Sequence, residues 1–263
     1  MSRELKTAQL EKGNEEEFLK FLHKDEIRHV FTICDLKDDR NKTQIWTATE
    51  NHDVRGYLFE FDKRIVHTYG TAESITQLIH NVDLSEPTFV IEPHHLTIVR
   101  KFFEPTEPTD KASKGKITTY LVMKTTVRNF KPLIQHKVKR LDMEDIREVA
   151  KNFGEEWANR IKDAIEKGIV YGAYDNCMVA STATTSEILD TVALIRGVYT
   201  IDSLRGKGLA TSAVSALAKE TINLGKDAVL WVAEDNAPAR HVYEKIGFQK
   251  TQHVLLGFKA RKL

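Results

Sequence analysis

The chain has 263 residues, 39 of them basic and 38 acidic, with a formal net charge of +1 and 29% charged residues. That length accommodates two ordinary domains or one large one. The balanced charge argues against bulk electrostatic binding of nucleic acid, and no apolar run approaches membrane-spanning length, so neither nucleic acid nor membrane is an expected partner.

Met1–Lys6 carries no apolar signal-peptide core. Phe18, Leu19, Phe21 and Leu22 predict a short helix after Asn14, and Ile27, Val30, Phe31 and Cys34 continue at helical spacing. Strands are predicted at Gln44–Thr49, Tyr57–Phe61 and Ile65–Tyr69, a helix over Ala72–His80, then a strand at Thr88–Ile91. Leu96, Val99 and Phe102 predict a helix from His94 to Phe103. A Pro-, Thr- and Lys-rich stretch, Glu104–Lys116, reads as a loop before a strand at Ile117–Thr125. His94-His95 is an adjacent pair rather than a metal-ligand spacing, and no metal is expected.

Pro132 interrupts regular structure near Asn129–His136, where a second half begins. Its first strand ends at Leu141, and Asp142 is a helix N-cap. Ile146, Val149 and Ala150 mark one helix; Trp157, Ile161, Ala164 and Ile165 mark the next. Ile169–Tyr174 and Cys177–Thr184 form a hairpin around Asp175-Asn176. A strand at Val192–Thr200 leads through Leu204-Arg205-Gly206-Lys207-Gly208-Leu209-Ala210-Thr211 into a helix from about Gly208 to Leu224. That helix turns Leu209, Ala213, Val214, Leu217, Ala218 and Ile222 to one face. A strand at Ala228–Val232 follows, then a helical segment up to Phe248 and a short tail in which His253–Phe258 is one strand or the continuation of one. The predicted class is α/β with a mixed sheet, in two halves of similar order, 1–130 and 131–263. Cys34 and Cys177 fit a reducing, cytoplasmic setting with two buried or half-buried thiols.

The turn at 204–211 carries the strongest chemical signal. Two glycines between strand and helix let backbone N–H groups reach a ligand closely. Those groups, the positive helix end, Arg205 and Lys207 suit a phosphate. The segment after the next strand adds Asn236, Ala239, Tyr243, Gly247 and Phe248 at fixed spacing. Together the two motifs resemble the GNAT superfamily of acyl-CoA-dependent N-acyltransferases. Arg205, Gly208 and Ala210 match its Q/R-x-x-G-x-G/A loop, and the second set matches N-x-x-A-x-x-x-Y-x-x-x-G-F. The strong match covers about Ala193–Phe248 and a weaker one reaches back to about Val138.

The resemblance implies an N-acetyltransferase using acetyl-CoA, with CoA as product and no metal, acting on an unidentified amine. It implies a V-shaped opening between the Val192–Thr200 and Ala228–Val232 strands. Backbone groups of Val198, Tyr199 and Thr200 would hold the pantetheine arm, with an N–H near Val198 polarising the thioester carbonyl. Arg205, Gly206, Lys207, Gly208, Leu209, Ala210 and Thr211 would hold the pyrophosphate. Asn236, Ala239 and Arg240 would lie along the cofactor, and Tyr243 would protonate the leaving thiolate. Glu187, Asp190, Glu234, Asp235 and His241 lie in segments near such a cleft, and none stands out as a base. The first half has Gly70-Thr71-Ala72-Glu73 where the second has its basic loop, so it is expected to be a degenerate copy without a cofactor site. The tail is short for the two closing strands of this fold, so a strand around Tyr120–Thr125 is expected to pack there. A fragment starting near His136 would then not fold independently.

Other readings stay open. A Rossmann site would need a third glycine where Thr211 stands, and a P-loop would need one five residues before Lys207. A non-catalytic acyl-CoA-binding regulatory protein is possible on the same fold. So is an amino-acid N-acyltransferase using a larger acyl-CoA, as in the glycine N-acyltransferase-like branch. A monomer and a homodimer are both compatible with the sequence.

Overall fold

The computed structural model describes residues 5–263, so the expectation drawn from residues 1–4 lies outside the described residues. The chain forms two compact units, each drawing on more than one stretch. The first comprises Met1–Leu121, Ala233–Asn236 and Gln252–Leu263; the second comprises Val122–Val232 and Ala237–Thr251. No helix among the described residues is long and apolar enough to cross a membrane.

The first unit opens with β1 (Lys6–Gln9), α1 (Glu15–Leu22) and α2 (Glu26–Asp38). Asp25 caps α2 by accepting from the Arg28 N–H. Then β2 (Thr43–Glu50), β3 (Asp53–Phe61) and β4 (Ile65–Gly70) form an antiparallel meander with β1 on its outer side. The two tight turns place Asn51, His52, Asp62 and Lys63 at positive φ, the geometry that matches strand twist in short hairpins. Helix α3 (Ala72–Leu78) carries the chain across to β5 (Thr88–Ile91), which pairs parallel with β4 from Ile65↔Thr88 to Thr68↔Ile91. The last strand, β13 (Gln249–Lys262), pairs antiparallel with β5. Phe89, Phe103 and Phe258 meet in the core of this unit, at ring separations of 5.0 and 5.5 Å from Phe89.

Two expectations change here. The helix predicted over His94–Phe103 is only α4 (Leu96–Val99), entered from a tight turn at Pro93–His95. Its apolar spacing continues to Phe102, but three-residue hydrogen bonds, Lys101 N to Ile98 O and Phe102 N to Val99 O, close the helix. The Pro-rich stretch is not all loop. Phe103–Pro108 is β6, paired antiparallel with β13. Its prolines, Pro105 and Pro108, lack the N–H groups that a full ladder needs, which is why the sequence disguises it.

The second unit includes β7 (Thr118–Thr125) from Val122 onward, then β8 (Val138–Arg140), α5 (Ile146–Phe153) and α6 (Glu155–Lys167). Asp142 accepts from Glu144 N, and the Asp145 carboxylate accepts from Asp142 N, so the predicted cap is part of a capping box. The predicted hairpin is β9 (Ile169–Asp175) and β10 (Met178–Ile188), with Asn176 at φ 56° in its turn. Cys177 is exposed there, whereas Cys34 is buried on α2; an expected half-buried thiol is thus a surface one. Next come β11 (Val192–Thr200), α7 (Leu209–Asn223), β12 (Asp227–Ala233) and α8 (Ala237–Ile246). The strand order in this unit is β7-β12-β11-β10-β9-β8. Helix α7 is buried on nearly every side, with Leu209 and every residue from Thr211 to Ala218 inaccessible. Tail and β7 meet as expected: Thr251 Oγ1 donates to Val122 O at 3.0 Å. The tail is one strand of 14 residues, longer than the predicted six.

Candidate functional site

The site begins where two parallel strands part. Strand β11 pairs with β12 from Val192↔Asp227 to Ile195↔Leu230, and no further pair joins them among the described residues. Strand β11 nevertheless continues to Thr200. Its other edge stays on β10, where Ser181 faces Thr200 and Thr182 faces Tyr199. The parting coincides with a bulge. Two steps of β10, Thr182 to Thr184, face three steps of β11, Tyr199 to Arg196. Gly197 sits in that step at φ 58°, and a Cβ there would lie 2.7 Å from Thr184 Oγ1. Glycine is therefore required, and the bulge re-aims the backbone of Val198–Thr200. Thr184 Oγ1 donates to Arg196 O at 3.1 Å and Thr182 Oγ1 to Gly197 O at 3.3 Å, fixing the kink from behind.

Beyond Thr200 the chain turns through Asp202–Leu204 into the glycine loop. Gly206 and Gly208 both lie at positive φ, 81° and 85°. Gly208 is the N-cap of α7 and offers no side-chain acceptor to its first turn. The N–H groups of Leu209, Ala210 and Thr211 precede the first intrahelical bond, Ser212 N to Gly208 O at 3.0 Å. They are free for an anion by the geometry of any helix start. Arg205 and Lys207 are exposed and hold nearby carboxylates: Arg205–Asp202 at 2.6 Å and Lys207–Asp175 at 3.1 Å. Exposed pairs of this kind contribute little stability, about 0–1 kcal/mol, so a phosphate can replace either carboxylate. The Arg205 guanidinium also lies 5.8 Å from the Tyr199 ring centroid.

The segment 129–136 buttresses this loop. Ser212 Oγ accepts from Gln135 N and His136 N at 3.1 and 3.3 Å, and Ser215 Oγ accepts from Leu133 N at 2.8 Å. His136 Nε2 donates to Lys207 O at 2.8 Å. The remaining predicted residues fall on or before α8. Ala239 and Arg240 are half-buried on α8, Tyr243 is 8% exposed, and its ring meets Phe248 at 6.0 Å. Asn236 precedes α8, with its N–H on Ala233 O at 2.9 Å, and belongs to the first unit.

Three comparisons bear on this geometry. A family model described as FR47-like protein matches residues 170–256. A search of curated proteins finds no match. Among solved structures, a Drosophila protein is similar at 12% identity and TM-score 0.67, over 96% of this chain and 98% of its own. A GCN5-related N-acetyltransferase from Sphaerobacter thermophilus is similar at 12% identity and TM-score 0.62, over 100% and 96%. A tandem GNAT protein from the clavulanic acid biosynthesis pathway gives 13% identity and TM-score 0.60, over 98% of each chain.

The fold is that of the GNAT superfamily. Within a GNAT fold, the two sequence motifs divide by physical role. Gly247 and Phe248 are structural. Gly247 lies at φ 100°, and a Cβ there would come 2.0 Å from Asn129 O. Asn129 Nδ2 donates to Gly247 O and Lys131 N to Ile246 O, both at 2.8 Å, tying the end of α8 to the buttress. Phe248 fills the core at 2% exposure.

Sequence reasoning missed several groups where β11 and β12 part. Gly197 was hidden inside an apolar strand; a glycine within a strand pattern is the available signal for a bulge. An aromatic cluster was also missed. Tyr199 lies 5.1 Å from Trp157 and 5.9 Å from Phe153, and Trp157 Nε1 donates to Thr182 Oγ1 at 3.2 Å. Of the acid–base candidates, Glu187 is held by Arg196 at 2.6 Å and Asp235 accepts from Lys114 N at 3.1 Å. Asp190, Glu234 and His241 are exposed.

The first unit has a parallel pair too, β4 and β5, but its end is closed. Gly70, the last residue of β4, donates its N–H to Glu92 Oε2 at 3.1 Å. Its carbonyl lies 2.9 Å from Nε2 of both His94 and His95. Side chains thus occupy both backbone groups at the strand's end. His95 is fully buried, and burial lowers its pKa to about 4 against the opposing hydrogen bond to Gly70.

Proposed function

We propose that the second unit transfers an acetyl group from acetyl-CoA to a primary amine by direct attack on the thioester. The parting of β11 from β12 after Ile195↔Leu230, with the bulge at Gly197, is the observation that carries this reading. It leaves the edge of Val198, Tyr199 and Thr200 available to the amides of a pantetheine arm. A pyrophosphate fits the loop Arg205–Gly208 and the first turn Leu209–Thr211, where the N–H groups of a helix start adjoin two exposed basic residues. Ala239 and Arg240, in the same unit, are the further cofactor contacts in this reading.

The chemistry follows from these roles. The amine attacks the thioester carbonyl, and negative charge develops on its oxygen. An N–H near Val198, aimed by the bulge, stabilises that charge. The C–S bond then breaks, and the thiolate takes a proton from the Tyr243 hydroxyl. A phenol of pKa ~10 and a thiol of pKa ~8.5 are close enough for this transfer. The attacking nitrogen carries one proton too many after addition; it loses that proton through water, and the proton returns the Tyr243 oxygen to the phenol. The closed end of β4 supports a first unit that holds no second cofactor. Two free cysteines suit a cytoplasmic setting.

The test is release of free CoA from acetyl-CoA by the purified chain across a panel of amines, amino acids and peptide N-termini. Turnover with one amine class supports the reading. Saturable CoA binding without turnover on any amine would leave a binding protein instead.

A further inference from the structure

The closed end of β4 in the first unit gathers more ligand-type atoms than closure requires. Two imidazole nitrogens, Nε2 of His94 and Nε2 of His95, each stand 2.9 Å from one carbonyl oxygen, Gly70 O. Glu92 Oε2 lies 3.9 Å from His95 Nε2, and the donor atoms of Glu92, His94 and His95 are all within 4.8 Å of one another. Nitrogen and oxygen ligands about 2.1 Å from a common ion sit roughly 3.0–3.4 Å apart. The Glu92–His95 pair at 3.9 Å needs about half an ångström or more of closure to meet that spacing, and the three donors, all within 4.8 Å, are drawn in by side-chain rotation.

The outer partners are arranged as a metal site needs them. Arg28 pairs with Glu92 Oε1, while Oε2 accepts the Gly70 N–H at 3.1 Å and keeps a lone pair on the side of His95 Nε2, 3.9 Å away. Thr68 Oγ1 lies 2.8 Å from His95 Nδ1. With the proton on Nδ1, that hydroxyl accepts it, and the Nε2 lone pair points into the cup. Such partners fix the tautomer and orientation of ligating imidazoles. His94 is exposed while Glu92 and His95 are buried, so the cup is open to solvent on one side. That side admits an ion and a water ligand.

We propose that Glu92, His94 and His95 bind one divalent transition-metal ion of the zinc class, with Gly70 O as a fourth neighbour. On binding, each imidazole shifts its Nε2 proton to Nδ1, where Thr68 Oγ1 accepts that of His95, and the cation takes the place of the two N–H groups now directed at Gly70 O. Two imidazoles and one carboxylate match the donor set preferred by zinc over magnesium or calcium. The ion would clamp the end of β4 to the start of the Pro93–His95 turn. This site is independent of the acyl-transfer reading and involves none of its residues.

The test uses the full chain after chelator treatment and dialysis. Zinc is titrated in competition with a chromophoric chelator, and cobalt(II) is added separately to follow visible absorption. One equivalent is expected, with a dissociation constant at or below about 1 μM and a cobalt spectrum of tetrahedral or five-coordinate intensity. The variant His94→Ala changes an exposed side chain and should lose that equivalent while unfolding at the temperature of the wild type. Thr68→Val should weaken zinc about 10–100-fold, and His52→Ala should not. Wild type and His94→Ala binding zinc equally, or neither binding it at micromolar concentration, would overturn the proposal. The imidazoles would then serve only as hydrogen-bond donors to Gly70 O.

Discussion

Replacing Gly208 with alanine separates a ligand role from a folding role. Gly208 lies at φ 85°, ψ 8°, and an added Cβ would be 3.5 Å from Gln135 Oε1 and 3.7 Å from His136 Nε2. These are ordinary contacts, so the folding cost is conformational, about 1–2 kcal/mol for the left-handed region. In a chain of this size that lowers Tm by roughly 2–8 °C. Gly225, just past the other end of α7, supplies the control. It lies at φ 77° with no atom within 4 Å of its Cβ position, so its alanine variant carries a similar cost. Binding distinguishes them. A methyl at Gly208 stands where phosphate must approach the first-turn N–H groups of α7. Weakening one charge-assisted hydrogen bond there costs about 1.5–3 kcal/mol, a roughly 10- to 150-fold loss of CoA affinity. Equilibrium dialysis with labelled CoA, alongside thermal unfolding, reads both quantities. Equal CoA affinity in Gly208→Ala and Gly225→Ala would refute a phosphate site at this loop.

Other consequences are open to measurement. Tyr243→Phe should lower kcat about 10²- to 10⁴-fold with CoA affinity nearly unchanged; unchanged turnover on the true amine would remove Tyr243 from proton transfer. Ser212→Ala leaves the N–H groups of Gln135 and His136 without their acceptor, and should cost about 1–3 kcal/mol in urea unfolding; a change below about 0.5 kcal/mol would mean the buttress contributes nothing. Acid should destabilise the first unit. Burial, with the charges of Arg28 and His253, lowers His29 to about 3, and burial lowers His95 to about 4. Both are neutral in the fold and take up protons on unfolding below about 6.5. Their contribution is therefore complete above that pH and falls by about 1.4 kcal/mol per pH unit for each as the pH drops towards those values. Stability that stays flat between pH 7.5 and 5 in the presence of chelator would contradict this.

Most of the second half was legible because its signals are local. The β11–loop–α7 passage is written in consecutive residues: an apolar strand, a basic glycine turn, and a helix, although that helix is buried on nearly every side rather than on the one face its apolar spacing marks. The two glycines had to be glycines for φ alone, and the structure places both at positive φ. Elements set by distant partners were not legible. Strand β6 forms because Phe103–Pro108 meets β13, some 150 residues away in sequence, against the tendency of its own prolines. Nothing in the composition of residues 252–263 announces that they complete the first unit. The bulge at Gly197 depends on Thr184 in the neighbouring strand. The Glu92–His94–His95 cup was passed over because the adjacent histidines lack a helical metal spacing. A tight turn, not a helix, is what aims both rings at Gly70 O.

The most direct measurement is a calorimetric titration of the full chain with acetyl-CoA and, separately, with CoA. A single acyl-CoA site in the second unit, with the end of β4 closed in the first, predicts saturable binding at one equivalent per chain for both ligands. Two equivalents would show that the first unit also holds a cofactor, and no binding of either ligand would contradict an acyl-CoA cleft between β11 and β12.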